Sequence, residues 1–412
     1  MSADDVPVSA TSALMPPALP APVAPARRRL KLVVQLVGGG IVGVAVGSAI
    51  GFARRRIDPA LLDAITFPLP AVDAGFAVFF ALATLWPQVI LHEAGHALAG
   101  IARGMQPIAF GIGPWRWERG QDRWRLRRAG RVRGIAGFAM LLPRGERGLG
   151  RLDQAFYLFG GPLANLIVLA CMLAVLPWVN EAPVTAALVL GTAATAALIG
   201  FVNLVPFQAQ GWRSDGRNLI DLFAASREAE QARRVRQVLA LTMAGVRPRD
   251  WPDEALPAWP EADIDEQGWT DVYAVSLRLS HALDRGDPVS ARHCAQRLAS
   301  GYARVPEAFR PHVAIGMASF AALVERDLGL LTAWRSLCEG GLLDLGALRA
   351  WLDVEREVLS GDVATARENL AVARGVMHRV PDEVTGLQLR EYLDAIEQRL
   401  ASGPPANLVK EA

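Results

Sequence analysis

The chain has 412 residues, 52% hydrophobic and 20% charged, which is length enough for more than one domain. Its 43 Lys and Arg against 41 Asp and Glu leave a net charge of +2, so the total charge gives no reason to expect a nucleic-acid partner. Cys171, Cys294 and Cys338 show no C-x-x-C spacing, which argues against a disulfide framework and fits a reducing compartment or burial.

Apolar residues concentrate in the first half, the pattern of a membrane protein with a soluble tail. Residues 1–31 read as a disordered, basic-ended amino-terminal arm. Pro, Ala, Ser and Val dominate it, and Asp4 and Asp5 are the only charges before Arg27. No short apolar region with a cleavage site follows, so it is not a clean signal peptide. A first span is expected at 32–53, between Arg27, Arg28, Arg29 and Lys31 on one side and Arg54, Arg55 and Arg56 on the other. Gly39, Gly43, Gly47 and Gly51 form a small-residue stripe that admits a close helix partner. A glycine-rich span without a partner is the alternative.

The second span, at 75–101, carries the stretch with the most chemistry, His92-Glu93-Ala94-Gly95-His96. On a helix, the two histidines lie one turn apart and face the same way. They can share one Zn²⁺, with Glu93 beside it as proton acceptor. Three ionisable groups within a membrane span are costly and point to function rather than chance. Residues 103–151 follow, with twelve Arg against three acidic residues, so this loop is expected in the cytoplasm.

Two further spans are expected at 155–179 and 184–207. The loop charges run the second span inward, the third outward and the fourth inward. Both termini are then cytoplasmic, while Arg54, Arg55 and Arg56 lie outside, against the charge bias. The third span opens with Gly160-Gly161-Pro162-Leu163-Ala164-Asn165, and the fourth ends at Asn203-Leu204-Val205-Pro206. Asn165 and Asn203 sit at the depth of the histidines, where amides can hold a substrate backbone or an oxyanion; helix–helix hydrogen bonding is the alternative. Asp215, in Ser214-Asp215-Gly216, follows the fourth span and can fold back as a third metal ligand; an ordinary cap or turn residue is the alternative.

Taken together, these motifs resemble the site-2 protease family of intramembrane zinc metalloproteases. The resemblance covers 75–222. It implies a catalytic core of three transmembrane helices, with His92, His96 and Asp215 on zinc and Glu93 as the base. Asn165 and Asn203 would line the substrate path. Residues 110–114 and 137–143 resemble the family's membrane-associated β-hairpin or sheet, and Trp124-Arg125-Leu126-Arg127 and Arg131-Val132-Arg133 alternate as strands do. Residues 208–213 lengthen the usual gap before the Asp-Gly pair. Asp221 is the nearest competing carboxylate but lacks a following Gly. There is no room for the PDZ domain that many relatives insert.

Residues 223–264 read as linker and helices, and 265–402 as a cytoplasmic helical-repeat domain. Arg285-Gly286-Asp287, Arg326-Asp327 and Ser360-Gly361-Asp362 recur at a spacing that resembles tetratricopeptide arrays; an unrelated helical bundle is the alternative.

The expected fold is mainly α: a polytopic membrane core with a small β segment, then a repeat-like helical domain. The expected function is zinc endopeptidase action within or near transmembrane segments of membrane-protein substrates. A multi-pass protein of the bacterial inner membrane, with its site toward the cytoplasm, fits this reading. Its partners would be the lipid bilayer, a transmembrane protein substrate and a protein regulator on the helical domain. The rival reading is a membrane-anchored scaffold with a non-catalytic metal site. A metal transporter or sensor ranks last, since the spans carry no second metal relay.

Overall fold

The computed structural model describes residues 13–19, 72, 74–130, 136–145, 149–179, 181–209, 212–259 and 269–402. The expected first span at 32–53 and the strand reading of Arg131-Val132-Arg133 lie outside them. The described chain is mainly helical, with one small antiparallel sheet and a two-stranded hairpin.

Three long apolar helices form the first unit. They are α1 (Ala74–Ala102), α2 (Arg151–Val175, continued by a short 3-10 turn) and α3 (Pro183–Leu204). Each is long and apolar enough to cross a membrane. The helix α2 starts earlier than the apolar run alone suggested, because its first turn carries Arg151 and Asp153. The helix α3 stops at Leu204, where Val205 is extended ahead of Pro206.

Small residues set how closely these helices pack. A Cβ on Gly95 of α1 would collide with the Gly160 carbonyl of α2, and one on Gly160 would lie 2.6 Å from the Gly95 carbonyl oxygen. On α3, a Cβ at Gly191 would lie 2.6 Å from the Ala77 carbonyl oxygen, and Thr195 Oγ1 donates to Ala81 O at 2.8 Å. Backbones this close gain dispersion contacts that lipid cannot replace. The outer faces carry exposed Leu82, Leu98, Ile167 and Leu198, as lipid-facing surfaces do.

A four-stranded antiparallel sheet follows α1. Its strands are β1 (Met105–Ile112), β2 (Trp115–Arg119), β3 (Trp124–Arg128) and β4 (Gly137–Pro143), in the order β3-β2-β1-β4. The register between β1 and β4 shifts between Pro107 and Ala109, next to a residue with no N–H to give the ladder. The β2–β3 hairpin is inverted relative to a soluble sheet. Arg116 and Glu118 point inward, whereas Trp115, Trp117, Trp124 and Leu126 are exposed. Glu118 accepts from Arg127 Nη2 at 2.6 Å.

Beyond α3, a hairpin of β5 (Gln208–Ala209) and β6 (Trp212–Arg213) leads into α4 (Asp215–Phe223) and α5 (Arg227–Met243). The stretch expected as linker and helices contributes to a core. Val235, Val238 and Leu241 of α5 form a small core with Trp251, Leu256 and the next helix. That helix, α6 (Trp269–Arg285), opens a bundle continued by α7 (Pro288–Gly301), α8 (Arg310–Phe320), α9 (Leu328–Arg335), α10 (Gly346–Ser360), α11 (Val363–Val376) and α12 (Glu383–Ala401).

The recurrence seen in the sequence is a repeated turn between paired helices. Gly286, Arg326 and Gly361 each adopt positive φ, and the Asp that follows caps the next helix. Asp287 accepts from Val289 N and Ser290 N, Asp327 from Leu330 N, and Asp362 from Thr365 N. A left-handed residue ends one helix and a carboxylate begins its partner. Trp334, Trp351, Leu279, Leu298 and Leu352 lie at the centre of this bundle's core.

The arm expected to be disordered is ordered over part of its length. Within residues 13–19, Leu14 is buried in the helical bundle's core. The bundle also meets the sheet: Arg125 Nη2 lies 3.1 Å from Asp344 Oδ2, and Gln121 N donates to His378 O at 3.2 Å.

Candidate metal centre

His92 and His96 lie one turn apart on α1 and are both buried, with their rings in an edge-to-face arrangement. Asp215 reaches them from the first residue of α4. His92 Nε2 is 3.1 Å from Asp215 Oδ2, His96 Nε2 is 3.3 Å from the same oxygen, and the two Nε2 atoms are 3.2 Å apart. These three residues are the one such group of potential metal ligands among the described residues.

Their hydrogen bonds decide what lies between them. His92 Nδ1 is 2.7 Å from Asn165 Oδ1. The Asn165 amide nitrogen donates to the Gln88 carbonyl at 3.1 Å and to Gln88 Oε1 at 2.7 Å, which fixes which end of the amide faces His92. His96 Nδ1 is 2.8 Å from the Tyr157 carbonyl oxygen. Both partners only accept, so both Nδ1 atoms carry the proton, and in its neutral form each ring turns an Nε2 lone pair inward. Two lone pairs and a carboxylate oxygen thus converge on one point, which is repulsive unless a cation sits there.

The spacing suits zinc. Ligand bonds of about 2.0–2.1 Å in a tetrahedron give ligand–ligand edges of about 3.3 Å. Two imidazoles and one carboxylate are also a donor set zinc accepts, with a fourth position left open.

The backbone is shaped for this centre. A Cβ on Gly161 would collide with the His96 ring, so only glycine fits where α2 passes it. A Cβ on Gly216 would strike the Leu204 carbonyl, so the residue after Asp215 must be glycine for α4 to pack on α3. Ser214 caps α4 through Arg217 N, and its hydroxyl donates to Val205 O at 2.7 Å.

The six residues that lengthen the gap before Asp215 do not displace it. Gln208 pairs with Arg213, and Ser214 N donates to Phe207 O at 3.0 Å. The extra length loops out as the hairpin, and the chain returns to where it left. Asp221 is occupied elsewhere, 2.9 Å from Arg213 Nη1 and 3.0 Å from Arg217 Nε.

Glu93 and Asn203 line a cavity of about 420 Å³ with the three metal-site residues. The start of β4 forms another wall. A Cβ on Gly137 would lie 3.1 Å from Glu93 Oε1, so glycine lets the strand run beside the carboxylate. Asn203 donates to Ile199 O at 2.9 Å. Asn165 differs from its expected role. It is fully buried and its amide is committed to His92 and Gln88, so it holds the His92 ring in place.

Sequence reasoning missed Gln88 and Tyr157. Gln88 had a signal: it is polar, lies in an apolar helix, and stands four residues before His92. Tyr157 had none, since its backbone oxygen holds His96; its hydroxyl donates to Ala139 O at 2.9 Å and ties α2 to β4. No family model, no curated protein and no solved structure matches the chain.

Proposed function

We propose that the chain is a zinc-dependent intramembrane endopeptidase of the site-2 protease type. The observation that carries this reading is the convergence of His92, His96 and Asp215 beside Glu93, at a cavity among helices of membrane-spanning length. Bound there, zinc supplies Lewis acidity and lowers the pKa of a water at its open position.

The protein's own residues do the rest. His92, His96 and Asp215 hold the ion, and Asn165 and the Tyr157 carbonyl keep both rings turned toward it. Glu93 accepts the proton of the attacking water and delivers it to the departing amine. The backbone of β4, last in its sheet among the described residues, can pair with an extended substrate segment beside Glu93. Asn203, which lines the same cavity, would contact that segment. Such pairing requires a locally unwound substrate helix, which is why a transmembrane segment near its end is the expected target.

Placement in the membrane follows the same logic. The twelve Arg of residues 103–151 put the sheet and the helical bundle on the cytoplasmic side. The exposed Trp115, Trp117 and Trp124 suit the headgroup region, where aromatic side chains concentrate. The expected partners are thus the bilayer and a membrane-protein substrate, with a regulator on the bundle.

The test compares membrane proteomes of cells carrying the native protein and Glu93→Gln. Single-span proteins should accumulate in the mutant. Identical proteomes would sink the reading.

A further inference from the structure

We infer that the helical bundle carries a peptide-binding pocket, and that residues 13–19 of the same chain are its occupant. Leu14 is 3% exposed, while its neighbour Met15 is 42% exposed. One side chain is therefore inserted and the segment around it stays at the surface. Trp334, 320 residues away in sequence, is fully buried and donates its indole N–H to the Leu14 carbonyl oxygen at 2.8 Å. Its ring also packs edge-on against Tyr302, with centroids 4.9 Å apart.

The pocket therefore recognises two things at once: an aliphatic side chain, and the carbonyl of the same residue. Without the segment, Trp334 would hold a buried donor with no acceptor beside an empty leucine-sized space. Both are unfavourable, so the pocket is built around an occupant rather than covered by chance. Pro16 and Pro17 follow Leu14 and are half-buried. Their fixed φ holds the segment extended before it binds, which lowers the entropy lost on docking.

The occupant is tethered, so it competes at an effective concentration far above that of a free peptide. A protein with a similar Leu-x-Pro-Pro segment must displace it to bind. The arm is thus a latch on the bundle, and the bundle in turn meets the sheet through Arg125–Asp344 and Gln121–His378. The sheet includes the strand beside Glu93. This inference does not depend on the proposed chemistry.

The test uses the full-length chain labelled with 5-fluorotryptophan, with the Trp334 fluorine resonance assigned through Trp334→Phe. Leu14→Asp should move that resonance, and the milder Leu14→Ala should move it part of the way. Leu19→Asp, at an exposed position, should leave it in place. A labelled peptide of residues 10–22 should bind the Leu14→Asp chain at least about tenfold more tightly than the native chain, in which the tethered segment competes. An unmoved Trp334 resonance in Leu14→Asp overturns the inference, as does equal peptide binding by both chains. A fall from dimer to monomer on Leu14→Asp would assign the occupant to a second copy and overturn the latch within one chain.

Discussion

At the residue scale, the metal site depends on acceptors aimed by second partners. Asn165 should matter although it touches neither metal nor substrate. Asn165→Ala leaves His92 free to rotate or change tautomer, and zinc affinity should fall about 10–100-fold. Competition with a calibrated chelator measures this; unchanged affinity would show that Asn165 does not orient His92. The two nearby aspartates should separate cleanly. Asp215→Ala should remove most of the zinc, whereas Asp221→Ala should leave the zinc and lose only the ion pairs to Arg213 and Arg217. Elemental analysis of the purified proteins decides between them. The grouping of His92, His96 and Asp215 was legible because two of them share a helical spacing and the third lies in a local turn. The role of Asn165 was not, because sequence shows that an amide is buried at a given depth but not which way it faces. A backbone carbonyl such as that of Tyr157 leaves no trace in sequence at all.

At the element scale, apolar length revealed the three long helices, alternation revealed β3, and the family resemblance pointed to β4. The hairpin at β5–β6 was read as a spacing defect, because sequence counts residues along the chain while the structure closes the loop across Phe207 and Ser214. The β2 strand carries the same alternation as β3, with the polar side turned inward in both, and the sequence reading did not extend to it. The recurring Gly-Asp and Arg-Asp pairs were visible, and their cause is turn chemistry. Asp287→Ala and Asp327→Ala should each cost about 1 kcal/mol by loss of a helix cap, and Asp362→Ala should lower the melting temperature in the same direction. Asn at the same positions should restore most of it. Thermal melts of the full-length variants measure the effect. Equal melting of native and Ala variants would mean these caps contribute nothing.

At the scale of the whole molecule, an ion cluster joins the segment after α5 to the first and last helices of the bundle. Arg247 Nη2 is 2.6 Å from Asp284 Oδ1, Arg247 Nη1 is 2.6 Å from Glu391 Oε1, and Arg249 N donates to Asp284 Oδ2 at 3.0 Å. Burial raises the Asp284 carboxyl, but the Arg247 guanidinium and the Arg249 amide outweigh it and leave it below the usual range. A carboxyl depressed on folding stabilises fully above its unfolded value of about 3.9, and that contribution is lost as pH falls through the lower folded value. Asp284→Asn should therefore destabilise at pH 7, where Arg247 keeps only its pair with Glu391, and by less below that window. Urea melts at several pH values read this directly; a constant difference down to acidic pH would contradict it. None of these pairs was legible in sequence, since Arg247, Asp284 and Glu391 lie on separate elements. The docking of Leu14 was hidden for the same reason, as composition marks a Pro- and Ala-rich arm and not the pocket that receives it.

The most direct measurement takes a single-span protein that accumulates in Glu93→Gln membranes and incubates it with purified native and Glu93→Gln protein, with zinc content determined for both. Zinc should be equal in the two, at about one ion per chain. Cleavage should fall by about 10²–10⁴-fold in the mutant, because only the proton acceptor has been removed. A zinc-loaded Glu93→Gln protein that cuts at the native rate would contradict the assignment of Glu93 as the proton acceptor, and a zinc-loaded native protein that does not cut would contradict the reading of this site as a protease.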